Sequence, residues 1–180
     1  KNSFRFRNKR IGFDPKLFNE KFIKNFSEKL GIKCVAINNN LVKLIKKNKF
    51  NSKKKKNFYV LDDVVVGKSC LNKVEGLKKF FFKNKIDIMF LTSSANIAWL
   101  LNIRGHDSDY SPLPNCYLIL DKKMNIFLFC DLDKIDSKFK KKLSFIRILR
   151  IDELKNFIQR IKNKNFLIDS LTCSIFYKNI

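Results

Sequence analysis

An α/β fold, with a mixed sheet covered by helices on both faces, is predicted by three features of this 180-residue sequence. Stretches with apolar residues at three- and four-residue spacing alternate along the chain with short apolar runs of strand length. One of those runs, residues 86–91, is apolar almost throughout, as suits a strand buried from both sides. One pair of runs is joined by a short polar turn, so a hairpin interrupts the alternating order.

The elements follow in order. Leu17, Phe18, Phe22, Ile23, Phe26 and Leu30 recur at helical spacing over residues 14–30, with Asp14 placed to cap, Pro15 in the first turn and Gly31 to stop the helix. A strand is expected at 32–37, a turn or a helix entry at Asn38-Asn39-Asn40, and a short helix from Leu41, Val42, Leu44 and Ile45. No partner strand is visible upstream. Periodicity lapses over 46–61, where Lys and Asn concentrate, and the Lys53-Lys54-Lys55-Lys56 run reads as a solvated connection. Asp62 and Asp63 mark a loop before the strand-like Val64-Val65-Val66.

Ser69 is placed to cap a helix reaching residue 84, with Leu71, Val74, Leu77, Phe80 and Phe81 on one side. A strand at 86–91 leads to a short helix at 95–101 entered through Ser93 and Ser94. Strands at 116–120 and 126–130 flank the polar turn 121–125. A basic helix at 133–143, a strand at 145–149, a helix at 152–161 and a strand at 166–168 complete the pattern. No internal repeat is visible.

Composition bounds the function. Hydrophobic residues make up 45% and aromatic residues 13%, enough for a globular interior. Lys plus Arg number 39 against 16 Asp plus Glu, a net charge of +23 that by itself suggests nucleic acid or an anionic surface. Only seven of those residues are Arg, the side chain suited to bidentate phosphate and base contacts. Abundant Lys, Asn, Ile and Phe with little Gly, Pro and Ala match the codon supply of a genome poor in G and C. A basic nucleic-acid-binding module is therefore the distant alternative, and nucleic acid is not the expected partner.

Cys34, Cys70, Cys116, Cys130 and Cys173 form no CxxC pair, and one His cannot complete a Cys/His zinc set, so they are expected as small buried hydrophobes in a reducing compartment. No apolar run approaches the roughly 18 residues that span a bilayer, and no secretory signal follows the basic start. Cytoplasmic location is the default expectation. The absence of an initial Met and the arrival at Ile180 soon after a new helix begins suggest a piece of a longer protein.

Residues 92–120 hold the only Trp (Trp99), the only His (His106), Pro112 and Pro114, and the cluster Arg104, Asp107, Asp109 and Tyr110. A helix ending at Asn102, a tight turn at Gly105 and an acidic Pro-containing loop make a structured irregular connection of the kind that binds or braces. Trp99, flanked by Ile97, Leu100 and Leu101, is expected in the core. Arg104 is either a contact to a substrate carboxylate or catalytic domain, or an ion pair with Asp107 or Asp109 that fixes the loop. His106 reads as an exposed loop residue, and Gly67-Lys68-Ser69 lacks the earlier Gly of a phosphate loop.

The segment Thr92-Ser93-Ser94-Ala95-Asn96-Ile97-Ala98-Trp99-Leu100-Leu101-Asn102-Ile103-Arg104-Gly105-His106-Asp107, followed by Tyr110-Ser111-Pro112-Leu113-Pro114, resembles the second domain of aminopeptidase P, a pita-bread metallopeptidase. Ile11-Gly12-Phe13-Asp14-Pro15 and Asn40-Leu41-Val42-Lys43-Leu44-Ile45 resemble the close of that family's first domain. Tyr117-Leu118-Ile119-Leu120 and Phe129-Cys130-Asp131-Leu132-Asp133-Lys134-Ile135 resemble the second domain's hairpin and next helix entry.

The resemblance implies a creatinase/prolidase N-terminal-like domain preceded by the C-terminal part of a similar domain. It places the first in residues 1–46, a linker in 47–63 and the second, incomplete at its end, in 64–180. It further implies a separate catalytic domain with two metal ions, usually manganese, that removes an N-terminal residue preceding proline. That centre's ligands are two Asp, one His and two Glu, a set no stretch here presents, so no catalytic or metal residue is carried over. Arg104, His106, Asp107, Asp109 and Tyr110 become candidates for interdomain or substrate-access contacts. The implied partners are the protein's own catalytic domain, a second copy in a homo-oligomer and a peptide with proline second, without a membrane. The corresponding part of a prolidase- or creatinase-like enzyme is the near alternative.

Overall fold

The structure, a computed structural model, describes residues 8–38, 40, 42, 45, 56–161 and 163–180. Its contacts separate two units: residues 1–53 with 170–180, and residues 54–169. These boundaries differ from a division at 1–46, 47–63 and 64–180 at both ends of the second unit.

In the first unit, strand β1 (Arg10–Phe13) lies parallel to β2 (Lys33–Ala36), Arg10 opposite Lys33 and Phe13 opposite Ala36. This upstream partner strand was not visible in the sequence, because four residues with alternating exposure carry too short a pattern. Helix α1 (Glu20–Leu30) crosses between them. It starts six residues later than expected: the Asn19 side chain takes the capping role by accepting from the Phe22 N–H at 2.8 Å. Asp14 instead closes a turn, accepting from the Lys16 N–H at 2.9 Å. Gly31 ends the helix at φ 61, where a side chain would be strained. Val42 and Ile45 are helical and exposed; Leu41 and Leu44 lie outside the described residues, as do Lys53, Lys54 and Lys55.

The second unit is built on a five-stranded sheet in the order β8-β7-β6-β4-β9, where β4 is Ile88–Leu91, β6 Tyr117–Asp121, β7 Ile126–Cys130, β8 Arg147–Arg150 and β9 Phe166–Ile168. Strand β6 runs antiparallel to β4 and β7, while β8 and β9 add parallel edges, so the sheet is mixed. Asp121 organises the β6–β7 turn by accepting from the Lys123 and Asn125 N–H groups at 2.8 and 2.9 Å.

Alternation along the strands sends side chains to two layers. Met89, Leu118, Leu120, Ile126, Leu128 and Cys130 share one buried cluster with Val74, Phe81, Ile97, Leu101 and Phe139. These helical partners come from α3 (Cys70–Gly76), α4 (Lys78–Lys83), α5 (Ser94–Leu101) and α6 (Ser137–Lys142). On the other face Phe127 and Phe129 pack on Phe157 of α7 (Leu154–Arg160), with ring centroids 4.9 and 5.2 Å away. Leu118, Ile119 and Leu120 are all fully buried, as a strand covered on both faces requires.

Local readings differ in four places, one being 133–143, where a 3-10 turn (Leu132–Lys134) and α6 stand in place of one helix because Ile135 and Asp136 are extended. The helix expected at 69–84 is interrupted at Leu77, just after Gly76, a poor helix former. Val64-Val65-Val66 is not strand-like but forms a single helical turn, α2 (Asp63–Val66), with Val64 and Val65 exposed. Tyr59–Val60, read as connection, forms β3, antiparallel to β5 (Ile103–Arg104), and Phe58 beside it is buried at 1% exposure. A lone aromatic in a Lys- and Asn-rich stretch gives no periodicity by which to find it. Among the described residues no helix is long and apolar enough to cross a membrane.

Candidate functional site

The information-rich segment begins with α5, whose Ser93 cap accepts from the Asn96 N–H at 3.4 Å. The helix stops at Asn102, held at φ 56 and ψ 33, one of the few non-glycine residues able to occupy the left-handed region. Asn102 is 5% exposed and all its polar groups are used. Its Nδ2 donates to Lys68 O at 3.0 Å, its carbonyl accepts from the Leu61 N–H at 2.8 Å, and its Oδ1 accepts from Lys73 Nζ.

Lys73 is the residue that sequence reasoning missed. It is 7% exposed, donates to Trp99 O at 2.6 Å, and holds its ammonium 4.4 Å from the Trp99 ring centroid. Desolvation lowers its pKa from 10.5, with Arg104 and Lys68 adding to the effect and Cys70 opposing it. The available signal was position: Lys73 stands beside Val74, on the turn that also buries Cys70.

Arg104 is half-buried and donates through Nη1 to Ala98 O at 3.2 Å and Ile103 O at 2.9 Å. Lys73 and Arg104 thus place two cations on the carbonyl end of α5, at Trp99 O and at Ala98 O, which also accepts from the Asn102 N–H, where the dipole favours positive charge. The alternative pairing with Asp107 competes with a different cation: Asp107 Oδ1 meets Lys134 Nζ, while Oδ2 accepts from the Asn115 N–H at 2.6 Å. Both ion-pair side chains are about 15% exposed or less. Lys134 also lies 5.7 Å from the Phe58 ring centroid, and its carbonyl accepts from the Phe58 N–H.

Gly105 is where these parts converge. Its N–H donates to Pro112 O at 3.1 Å, and a Cβ at this position would sit 2.8 Å from Pro114 Cα and 3.1 Å from the Phe58 ring. Only glycine fits between that backbone and that ring.

Beyond this lock the loop opens to solvent. His106 is exposed, with its ring 5.6 Å from that of Tyr59. Asp109 is exposed and its carbonyl accepts from Ser108 Oγ at 3.4 Å. Tyr110 is fully exposed at φ 65. Trp99 corrects an expectation: it is 62% exposed rather than core, because Ile97, Ala98, Leu100 and Leu101 form the inward side of α5 and leave position 99 outside.

Cys70, Cys116, Cys130 and Cys173 are buried, while Cys34 in β2 is half-buried. Burial pushes the Cys70 thiol up to about 11 and Cys130 to about 12, and raises Cys116 as well; all five are free. Among the described residues no group of three or more His, Cys, Asp or Glu is arranged to hold a metal ion. The arrangement as a whole offers a rigid frame and an exposed polar and aromatic rim, and no nucleophile–base pair.

A family model of the creatinase/prolidase N-terminal domain matches residues 49–180. The chain belongs to this family. As a creatinase/prolidase N-terminal domain it is 30% identical over 140 residues to a probable Xaa-Pro aminopeptidase P of Fusarium vanettenii, covering 76% of this chain and 22% of that one. It is 38% identical over 79 residues to an Xaa-Pro aminopeptidase of Caenorhabditis elegans, 44% of this chain and 13% of the other. The solved X-prolyl aminopeptidase of Caenorhabditis elegans, described as a cytosolic enzyme with a di-nuclear active site, superposes with a TM-score of 0.74 at 28% identity. That match covers 88% of this chain and 26% of the solved one. The creatinase/prolidase N-terminal domain therefore spans between 13% and 26% of the length of these relatives, and its resemblance is to the N-terminal region of aminopeptidase P.

Proposed function

We propose that this chain is the non-catalytic N-terminal region of an X-Pro aminopeptidase, made of the end of a first domain and most of a second. Its work is to position a catalytic domain and restrict access to it. The observation that carries this reading is the division within the 97–110 segment: Asn102, Ile103 and Gly105 are buried in a rigid frame, while His106, Asp109 and Tyr110 stand on its exposed rim. Rigid presentation of an exposed loop suits an interdomain or substrate-access surface formed by Arg104, His106, Asp107, Asp109 and Tyr110.

The remaining parts of the reading rest on the relatives. The di-nuclear centre named for the Caenorhabditis elegans enzyme supports two divalent ions, manganese in our reading, held outside this chain. Peptides with proline second, a cytoplasmic setting and a homo-oligomer of the whole enzyme complete the proposal.

Its test is direct. The purified 180-residue chain with added manganese should release no N-terminal residue from an X-Pro peptide, whereas the product of the whole reading frame should do so and lose the activity to a chelator. Chelator-sensitive release by the short chain, or an inactive whole product, overturns the assignment.

A further inference from the structure

We infer that residues 170–180 are a strap that completes the first unit by holding the entry to α1, so that releasing the strap opens α1 and β2. The family-model match runs without a break through residue 180, yet residues 170–180 have their contacts with residues 1–53. The first unit is thus discontinuous in sequence, and residues 54–169 are inserted within it.

What the first unit has without the strap is slight. Its described elements outside 170–180 include one pair of four-residue strands and an 11-residue helix with no fully buried side chain. A two-stranded sheet and a helix of that length are each marginal alone.

The strap supplies what they lack. Its Ile175 and Phe176 N–H groups donate to Phe18 O at 2.9 Å and Pro15 O at 3.0 Å. In return Asn19 Nδ2 donates to Leu171 O at 2.6 Å. Lys16 Nζ stands 4.7 Å from the Phe176 ring centroid, and Lys178 pairs with Glu20. Cys173 is 2% exposed. These contacts grip residues 15–20, the entry to α1, and Asn19 is also the helix cap. Holding the entry holds the helix, since nucleation is the costly step.

The test is amide hydrogen exchange on the full 180-residue chain and on I175P. Ile175 is the first residue of α8 (Ile175–Lys178), where proline is accommodated, and Ser174 at φ −70 and ψ 153 already has the backbone preferred before proline. The substitution therefore removes the N–H to Phe18 O without breaking α8, and I175V keeps that N–H as a control. Exchange in α1 and β2 is expected to quicken by about five- to tenfold in I175P, the scale of one lost backbone hydrogen bond, with β6 and β7 unchanged. Unaltered exchange in α1 and β2, or equal acceleration in β6 and β7, overturns the inference. A chain ended after Asp169 gives a second reading: α1 should lose protection while β6 and β7 keep theirs, and retained protection in α1 refutes the strap.

Discussion

Two halves of one loop behave in opposite ways. Asn102, Ile103 and Gly105 are buried, with the Asn102 side chain fully hydrogen-bonded and Gly105 wedged between Pro114 and Phe58. His106, Asp109 and Tyr110 are exposed on its outer side. The difference teaches that a recognisable sequence motif can join two kinds of residue. The first kind is required by sterics and hydrogen bonding, and the second is left available for contact with something else.

The largest effect is expected where the lock is tightest. Gly105→Ala forces a methyl against the Pro114 backbone, which cannot swing aside as a side-chain tip would. A loss of about 3 kcal/mol in urea unfolding is expected from such overpacking. A loss under about 1 kcal/mol would show that the 112–114 segment yields, and the contrast between the two halves would weaken.

Lys73→Met comes next. It relieves a desolvated ammonium but leaves Asn102 Oδ1 and Trp99 O without their donor, for a net loss of about 2 kcal/mol at pH 7. The pH dependence carries a sign. Because the native pKa of Lys73 lies below 10.5, the unfolded chain binds more protons between the two values, and stability from this group rises with pH across that window. The gap between the natural chain and Lys73→Met should widen from the lowered native value up to 10.5; a narrowing gap would mean that its acceptors outweigh its burial.

Much of the second unit was legible because long periodic segments announce themselves. The buried strand within 86–91, the hairpin across 121–125 and the Ser93 cap were all readable from residue type and order. What escaped was whatever depended on distant partners. Phe58 is core only because Gly105 and Phe139 meet it, with the Phe139 ring centroid 6.3 Å away, and nothing within its own Lys-rich stretch says so. Lys73 is buried because Asn102, 29 positions onward, offers an acceptor. The core role expected for Trp99 failed for the converse reason: four apolar neighbours fill the inward side of α5 and leave the largest side chain outside. At Arg104 the sequence offered nearby carboxylates, but helix-end carbonyls are acceptors that a list of side chains does not show.

Asp107 lies on the border between the two halves. Asp107→Asn keeps an acceptor for the Asn115 N–H and removes only the charge facing Lys134, in a pair mostly shielded from solvent. Loss of about 1–2 kcal/mol is expected, and it should change little with added salt because screening acts weakly on shielded pairs. A strong salt dependence in the natural chain that disappears in the variant would place Asp107 with the exposed rim instead.

The smallest effect is also the one with an unusual direction. Tyr110 holds φ 65 while its side chain is wholly exposed, so the fold bears the cost of a left-handed tyrosine and gains no burial from it. Tyr110→Gly should therefore raise stability, by about 0.5 kcal/mol after the greater freedom of glycine in the unfolded chain is set against the relieved strain. Stabilisation would mark Tyr110 as a residue retained for contact rather than folding, since strain that the fold does not need is strain kept for another purpose. In the whole reading-frame product the same substitution should then alter peptidase kinetics while leaving the melting temperature level or higher. A destabilised Tyr110→Gly chain would instead assign the tyrosine to the lock and move the boundary between the halves outward.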